Sequence, residues 1–195
     1  METSTDSSFK RAFRLIIEEY EGEYSNDKDD PGGETYRGIS RNMNKDWEGW
    51  KIIDSYKGKK NYPELLKTDN NLQEIVLDFY KKNYWDKFEG DAFDDETGEE
   101  MFDQSVNLGI RRAIEHLQRS LNILNDRQTL YPDIKADGAI GDQTLGAYFH
   151  CCHLEKEKML VNILNMFQAK YYIELMEKQN VFEKFIGLFK RVTII

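Results

Sequence analysis

Apolar side chains recur at helical spacing along most of this chain. Phe9, Phe13, Ile16, Ile17 and Tyr20, with Ala12 on the same face, predict an amphipathic helix over residues 9–21, and Gly22 follows as its C-terminal cap. Leu72, Ile75, Val76, Phe79 and Tyr80 form the stripe of a second helix ending near Tyr84-Trp85. A third is carried by Ile110, Ala113, Ile114, Leu117, Leu121 and Leu124. The last runs from about Leu154 to Glu177, with Leu160, Leu164, Phe167, Tyr171 and Leu175 on one side. Asp137-Gly138 reads as a turn, and Asp142 as the N-cap of a helix opening QTLGAYF. Strand-like alternation is scarce, so the predicted fold class is mostly α.

Polar segments punctuate these helices. Residues 22–40 read as a loop or short hairpin, because Pro31-Gly32-Gly33 breaks a helix and suits a tight turn. Residues 86–100, DKFEGDAFDDETGEE, read as an acidic connector and a module boundary. The first eight residues, METSTDSS, form a polar tail with neither a basic start nor an apolar run, which argues against a secretory signal and for synthesis in the cytoplasm.

Charge and composition narrow the function classes. The 195 residues are 39% hydrophobic and 32% charged, ordinary for a soluble protein of one domain or two small ones. No apolar run approaches the roughly 20 residues that span a bilayer, so no membrane insertion is expected. The net charge of −9 disfavours nucleic acid as a partner and passive attraction to an anionic envelope. Cys151 and Cys152 are adjacent, a poor arrangement for a disulfide, and read as reduced thiols. Four consecutive helical residues point 100° apart, so His150-Cys151-Cys152-His153 does not converge on one ion. Asp27, Asp29 and Gly32 begin like a calcium loop, but Pro31 takes a ligand position and Gly38 stands where the bidentate glutamate belongs. No metal and no cofactor are expected. His116 reads as a surface or boundary residue, and no nucleophilic triad is apparent.

The first helix and its loop carry the candidate chemistry. At 100° per residue, Glu18 points away from the apolar face while Glu19 and Glu21 lie on opposite flanks. Periodicity does not separate those two; position does, because Glu21 lies in the last turn and leads into the loop. The negative end of the helix dipole disfavours an anion there, and partial burial beside Ile17 acts the same way. A carboxylic acid kept protonated is what glycosidic cleavage needs, since the leaving oxygen must receive a proton. The plainer alternative is a helix-end glutamate in water. Asp30 is the second carboxylate, holding a water or stabilising oxocarbenium charge, or else a cap on the Pro31-Gly32-Gly33 turn. Thr35 would orient the water. Tyr24, Tyr84, Trp85, Gln104 and Asn107 are candidate sugar contacts, with aromatic faces for pyranose rings and amides for their polar groups. Aromatics at helical spacing are equally core residues, and for Tyr84 and Trp85 both readings stand.

The spacing of these residues adds a resemblance. Glu21-Gly22, Asp30 nine residues after the glutamate, then Gly33, Thr35, Gly38 and Ile39 are similar to the phage-type lysozyme signature. Here the threonine falls five residues after Asp30 rather than six, and Ser40 replaces a closing histidine. The fuller string, with Tyr24 and Asp30-Pro31-Gly32-Gly33, more closely resembles glycoside hydrolase family 108, the secretion-activator or endolysin-like N-acetylmuramidases. Tyr80-x-x-x-Tyr84-Trp85-Asp86 is similar to that family's aromatic segment. Asp103-x-x-Val106-Asn107-x-Gly109, with Leu117-Gln118 and Asp137-Gly138-x-Ile140-Gly141-x-x-Thr144, resembles the peptidoglycan-binding-like module that follows it, and Phe185-x-Gly187-x-x-x-Arg191 resembles the family's C-terminal end. Two departures stand out: Glu23 in place of a second glycine, and Leu188 where a tryptophan is expected.

The resemblance implies a lysozyme-like catalytic region over residues 9–100 and a helical peptidoglycan-binding-like region over residues 101–195. Packing as one globule is expected because the connector is short and both halves have apolar helix faces to bury. It implies cleavage of the β-1,4 bond between N-acetylmuramic acid and N-acetylglucosamine, with Glu21 as the acid and bacterial cell-wall peptidoglycan as partner. It also implies release to the wall by a holin, as for phage and prophage endolysins. The rival is a non-catalytic peptidoglycan-binding or secretion-accessory protein on the same fold. An amidase or peptidase would need a metal or nucleophile site that the sequence does not display.

Overall fold

The computed structural model describes residues 7–18, 23–26, 32–178 and 180–192, side chains of 180–185 aside. Contacts divide the chain into two compact units, residues 1–83 and 84–195. The described residues are mostly helical, with one small sheet, which is the expected fold class.

In the first unit, α1 (Ser8–Phe13) is capped by Ser7, whose hydroxyl accepts from the Lys10 N–H, and runs on into a π-helical turn at Arg14–Glu18. Phe9, Ala12, Phe13, Ile16 and Ile17 are all buried, as the apolar stripe requires. A three-stranded antiparallel sheet follows, ordered β1 (Tyr24–Ser25), β2 (Thr35–Tyr36), β3 (Ile39–Ser40). Tyr24 pairs with Tyr36 and Ser25 with Thr35; Tyr36 pairs with Ile39 and Thr35 with Ser40. Between β2 and β3 lie only Arg37 and Gly38, with φ of 44° and 76°. Positive φ at both central residues is the two-residue hairpin turn that matches strand twist.

Two helices back this hairpin. The segment GWKIIDSY forms α2 (Gly49–Tyr56), an element the hydrophobic pattern did not predict. Asn70–Asn83 forms α3, close to expectation. Tyr80 Oη donates to the Arg37 carbonyl at 2.6 Å, and Gln73 Nε2 donates to Tyr36 Oη at 3.0 Å. Tyr80 also packs edge-on against Phe13, so α1, α3 and the hairpin share one core.

The second unit is a helical bundle. Residues 86–100 are not a connector. Short 3₁₀ turns at Trp85–Phe88 and Gly90–Ala92 bury Trp85, Phe88 and Gly90, and α4 (Asp95–Leu108) begins within the acidic run. Asp94 caps it by accepting from the Thr97 N–H at 3.0 Å, and Asp95 and Glu96 occupy the first turn, where the helix dipole favours carboxylates. The acidic stretch is thus a helix start. Gly90 is required because a Cβ there would lie 2.3 Å from the Trp85 ring. α5 (Ile110–Leu124) lies where expected. α6 spans Asp142–His153 with Gly141, not Asp142, at the N-cap position; Asp142 sits in the first turn. α7 spans Glu157–Lys178, and a 3₁₀ segment covers Asn180–Arg191.

Candidate active site

The π turn at Arg14–Glu18 carries the chain toward Glu21, and wide turns of this kind recur at functional sites. Glu21 itself and Asp30 lie outside the described residues. The residues on either side of residues 19–22 do bound open space. Glu18 lines a cavity of about 410 Å³ with Arg37, Lys67 and Gln73. Glu23 and Tyr24 line one of about 180 Å³ with Tyr36, Pro63, Glu64 and Lys67. Lys67 belongs to both. Arg37 reaches Glu18 at 3.4 Å and Lys67 reaches Glu23 at 3.3 Å, both on exposed carboxylates.

Strand register sorts the expected site residues. Tyr24 lies opposite Tyr36, whereas Thr35 lies opposite Ser25 and Ser40, so Tyr24 and Thr35 project from opposite faces of the sheet. Thr35 Oγ1 donates to the Gly33 carbonyl at 3.1 Å and Ser40 Oγ to the Gly32 carbonyl at 2.6 Å. These hydroxyls tie down the returning arm of the loop. Gly33 has φ of 66°, a conformation that L side chains rarely adopt, and lies against the Asn42 side chain.

Tyr24 faces its cavity through a carboxylate that the sequence reading passed over. Its Oη donates to Glu34 Oε1 at 3.0 Å, and its ring meets Tyr62 edge-on. Burial first, then the nearness of Tyr62 and the hydrogen bond to Glu34, push the phenol's pKa upward, so it keeps its proton as a donor. Glu34 is only 8% exposed and is neutralised by Arg41 Nε at 2.6 Å and Lys57 Nζ at 3.0 Å. Asp54 completes the set, bridging the same two cations at 2.7 Å each. Hydrogen bonds from Arg41 and then Lys57 hold the Asp54 carboxyl below its ordinary range. Two anions and two cations thus fix β1 and α2 to the loop. Glu34 was missed because it sits among loop residues, and Arg41, Asp54 and Lys57 lie in a stretch without a legible apolar stripe.

The remaining expected contacts lie in the second unit, and two are corrected. Trp85 is 1% exposed, packed on Phe88 and Phe102, with its indole N–H on Asp91 at 2.8 Å. Gln104 is 0% exposed: its amide donates to Glu100 Oε1 at 2.7 Å and the Leu164 carbonyl at 2.9 Å. Neither has surface to offer a sugar. Tyr84 is half-buried at the start of the Trp85–Phe88 turn. Asn107, also half-buried, donates to the Asp103 carbonyl at 2.8 Å and its Oδ1 at 3.1 Å. Asp103 in turn accepts from Gln168 Nε2 at 2.6 Å and from Arg191 at 2.7 Å, so the 3₁₀ segment is tied to α4.

His116 is likewise not a boundary residue. It is buried and stacked on Phe167, with Nδ1 2.7 Å from Gln104 Oε1. The Gln104 amide nitrogen is already assigned to two acceptors, so its oxygen takes the proton from Nδ1. Burial pushes the His116 pKa down to about 4, and pushes the Glu100 carboxyl up to about 8. Cys151 is buried and its thiol is raised to about 12 by that burial. Among the described residues, no three His, Cys, Asp or Glu side chains are grouped to hold a metal ion. No described helix is long and apolar enough to cross a membrane.

Against this geometry stand the comparisons with known proteins. The family profile described as glycosyl hydrolase 108 matches residues 14–109, and the one described as a predicted peptidoglycan domain matches residues 112–192. The chain thus carries a glycosyl hydrolase 108 domain followed by a predicted peptidoglycan domain. Its hydrolase region therefore takes in the π turn, the hairpin and most of the lining of both cavities, and extends through α4 to Gly109. The peptidoglycan domain begins inside α5 and includes the Asp137–Thr144 turn. There Gln118 binds Asp137, Ala139 and Thr144 through its amide nitrogen and accepts from the Gly138 N–H. The solved structure of Brucella abortus SagA matches with a TM-score of 0.59 and 23% identity, over 95% of this chain and 89% of that one, and so shares the fold. A search of curated protein sequences found no significant match. The two domains together support a glycosyl hydrolase acting on peptidoglycan.

Proposed function

We propose that this protein is an N-acetylmuramidase, cleaving the β-1,4 bond between N-acetylmuramic acid and N-acetylglucosamine. Glu21 is the general acid that protonates the leaving oxygen; Asp30 is the second carboxylate and Thr35 orients the attacking water. The observation that carries the reading is the match of residues 14–109 to the hydrolase family; Glu18 and Glu23, the described residues that precede and follow Glu21 in sequence, each line a cavity. Tyr24, held by Glu34, offers a ring beside the second cavity. Tyr84 and Asn107 are proposed as sugar contacts of the second unit. Trp85 and Gln104 act as core. The protein reaches the wall after release from the cytoplasm by a holin, so lysis by the expressed protein should require a co-expressed holin.

Reducing-end release from purified peptidoglycan tests the assignment. Wild type should cleave, and Glu21→Gln, equally folded by circular dichroism, should lose about 10²–10⁴-fold in rate, the range of a general acid. Equal activity in the two proteins would move the acid elsewhere. Binding to peptidoglycan without cleavage by either would favour the accessory protein.

A further inference from the structure

An acidic protein whose substrate carries carboxylates must accept those anions somewhere. The chain carries a net charge of −9, yet among the described residues cations outnumber carboxylates around the 410 Å³ cavity of the first unit. Lys10, Arg14, Arg37 and Lys67 line it against Glu18 and Glu74 among the described residues, with Phe13 and Leu77 adding apolar surface. The cations come from separate elements: Lys10 from α1, Arg14 from the π turn, Arg37 from the hairpin tip and Lys67 from a 3₁₀ segment. Local potential in a lined cavity, rather than net charge, sets the concentration of an anion there.

Arg37 carries the stronger argument. It occupies the first central position of a two-residue hairpin, with φ of 44°, where Asn, Asp or Gly is the low-energy choice. The turn is held on both sides, by the Arg37 N–H on the Glu23 carbonyl at 2.9 Å and by Tyr80 on the Arg37 carbonyl at 2.6 Å. Neither bond uses the side chain. An arginine where the backbone disfavours a side chain points to work done by its guanidinium, which lines the cavity and lies 3.4 Å from Glu18.

We propose that this cavity is a carboxylate subsite of the hydrolase, taking an acidic group of the wall polymer with Arg37 as its fork. The proposal rests on the muramidase reading for its biological ligand but not for its test. Two carboxylates share the chemistry: the lactyl group of N-acetylmuramic acid in peptide-free glycan, and the acidic residues of the stem peptide.

Isotope-edited NMR titration of the whole chain separates these, using monosaccharide ligands that contain no bond for a muramidase to cut. N-acetylmuramic acid presents the lactyl carboxylate; N-acetylmuramyl-L-alanyl-D-glutamate blocks it and presents the stem; N-acetylglucosamine is the neutral control. One of the acidic ligands should bind, shift Lys10, Arg14, Arg37 and Lys67 resonances, and weaken with salt. Arg37→Asn and Lys10→Gln should each weaken it about two- to fivefold, and Glu74→Gln should tighten it. Arg37→Asn should meanwhile leave the melting temperature unchanged or higher, which a purely structural arginine would not do. Equal binding of the neutral sugar, or acidic ligands that bind without moving these residues, would overturn the subsite. Loss of wall cleavage in Glu21→Gln bears only on the acid, and its failure leaves this titration intact.

Discussion

Replacing Glu34 by glutamine separates charge from shape at the loop's anchor. The side chain keeps its size, and its oxygen still accepts from Tyr24 Oη, 3.0 Å away in the native protein. What disappears is the anion facing Arg41 at 2.6 Å and Lys57 at 3.0 Å. Removing one partner of a fully buried ion pair costs about 3–5 kcal/mol, and of an exposed pair at most about 1. Glu34 is 8% exposed but its cations are 28% and 41% exposed, and Asp54 still serves both. The expected loss is therefore about 2 kcal/mol, a fall of roughly 4–8 °C in melting temperature for a chain of this size. Urea unfolding read by tryptophan fluorescence suits the site, because the Arg41 guanidinium lies 4.3 Å over the Trp50 ring. Pairing Glu34→Gln with Arg41→Met in a double-mutant cycle isolates the interaction. A coupling energy near zero would refute the charge argument and leave Glu34 as a filler of space.

Three further changes test the second unit. Glu100 holds its proton up to about pH 8 in the folded protein, against an ordinary value of 4.5, so its contribution is full below pH 4.5 and declines as pH rises to 8. His116 works in the other direction: with a folded value near 4 against 6.5, its contribution is full above pH 6.5 and lost as pH falls to 4. Stability measured from pH 4 to 9 should thus show Glu100→Gln losing the downward slope above pH 6.5, and His116→Gln losing the upward slope at acid pH; parallel curves for wild type and variants would contradict both. Gly90→Ala drives a methyl group to 2.3 Å from the Trp85 ring and should cost about 1–3 kcal/mol by thermal unfolding, so an unchanged melting temperature would mean that Trp85 moves freely.

Periodic elements were legible because burial of a stripe is a local property. Leu72, Val76 and Tyr80 face inward on α3, and Ala113, Ile114, Leu117, Leu121 and Leu124 on α5, where a 3.6-residue repeat puts them. The acidic run at 94–100 was misread because charge density resembles a solvated connector, whereas carboxylates at a helix start are favoured by its dipole. Gln104 and His116 were misplaced for a related reason. A polar side chain advertises exposure, and only partners such as Leu164, 60 residues further along the chain, make its burial tolerable.

By itself the sequence determined the mostly helical class, the ordered motif series of family 108 and the glutamate to test, all of which depend on residue type at fixed spacing. Tertiary structure alone decided that Trp85 is core, that Thr35 and Tyr24 face opposite ways, and that Glu34 meets Arg41, Asp54 and Lys57. It also decided that four cations from four elements line one cavity of an acidic protein. Those facts depend on which distant groups share a desolvated or enclosed space, and no local spacing rule encodes that.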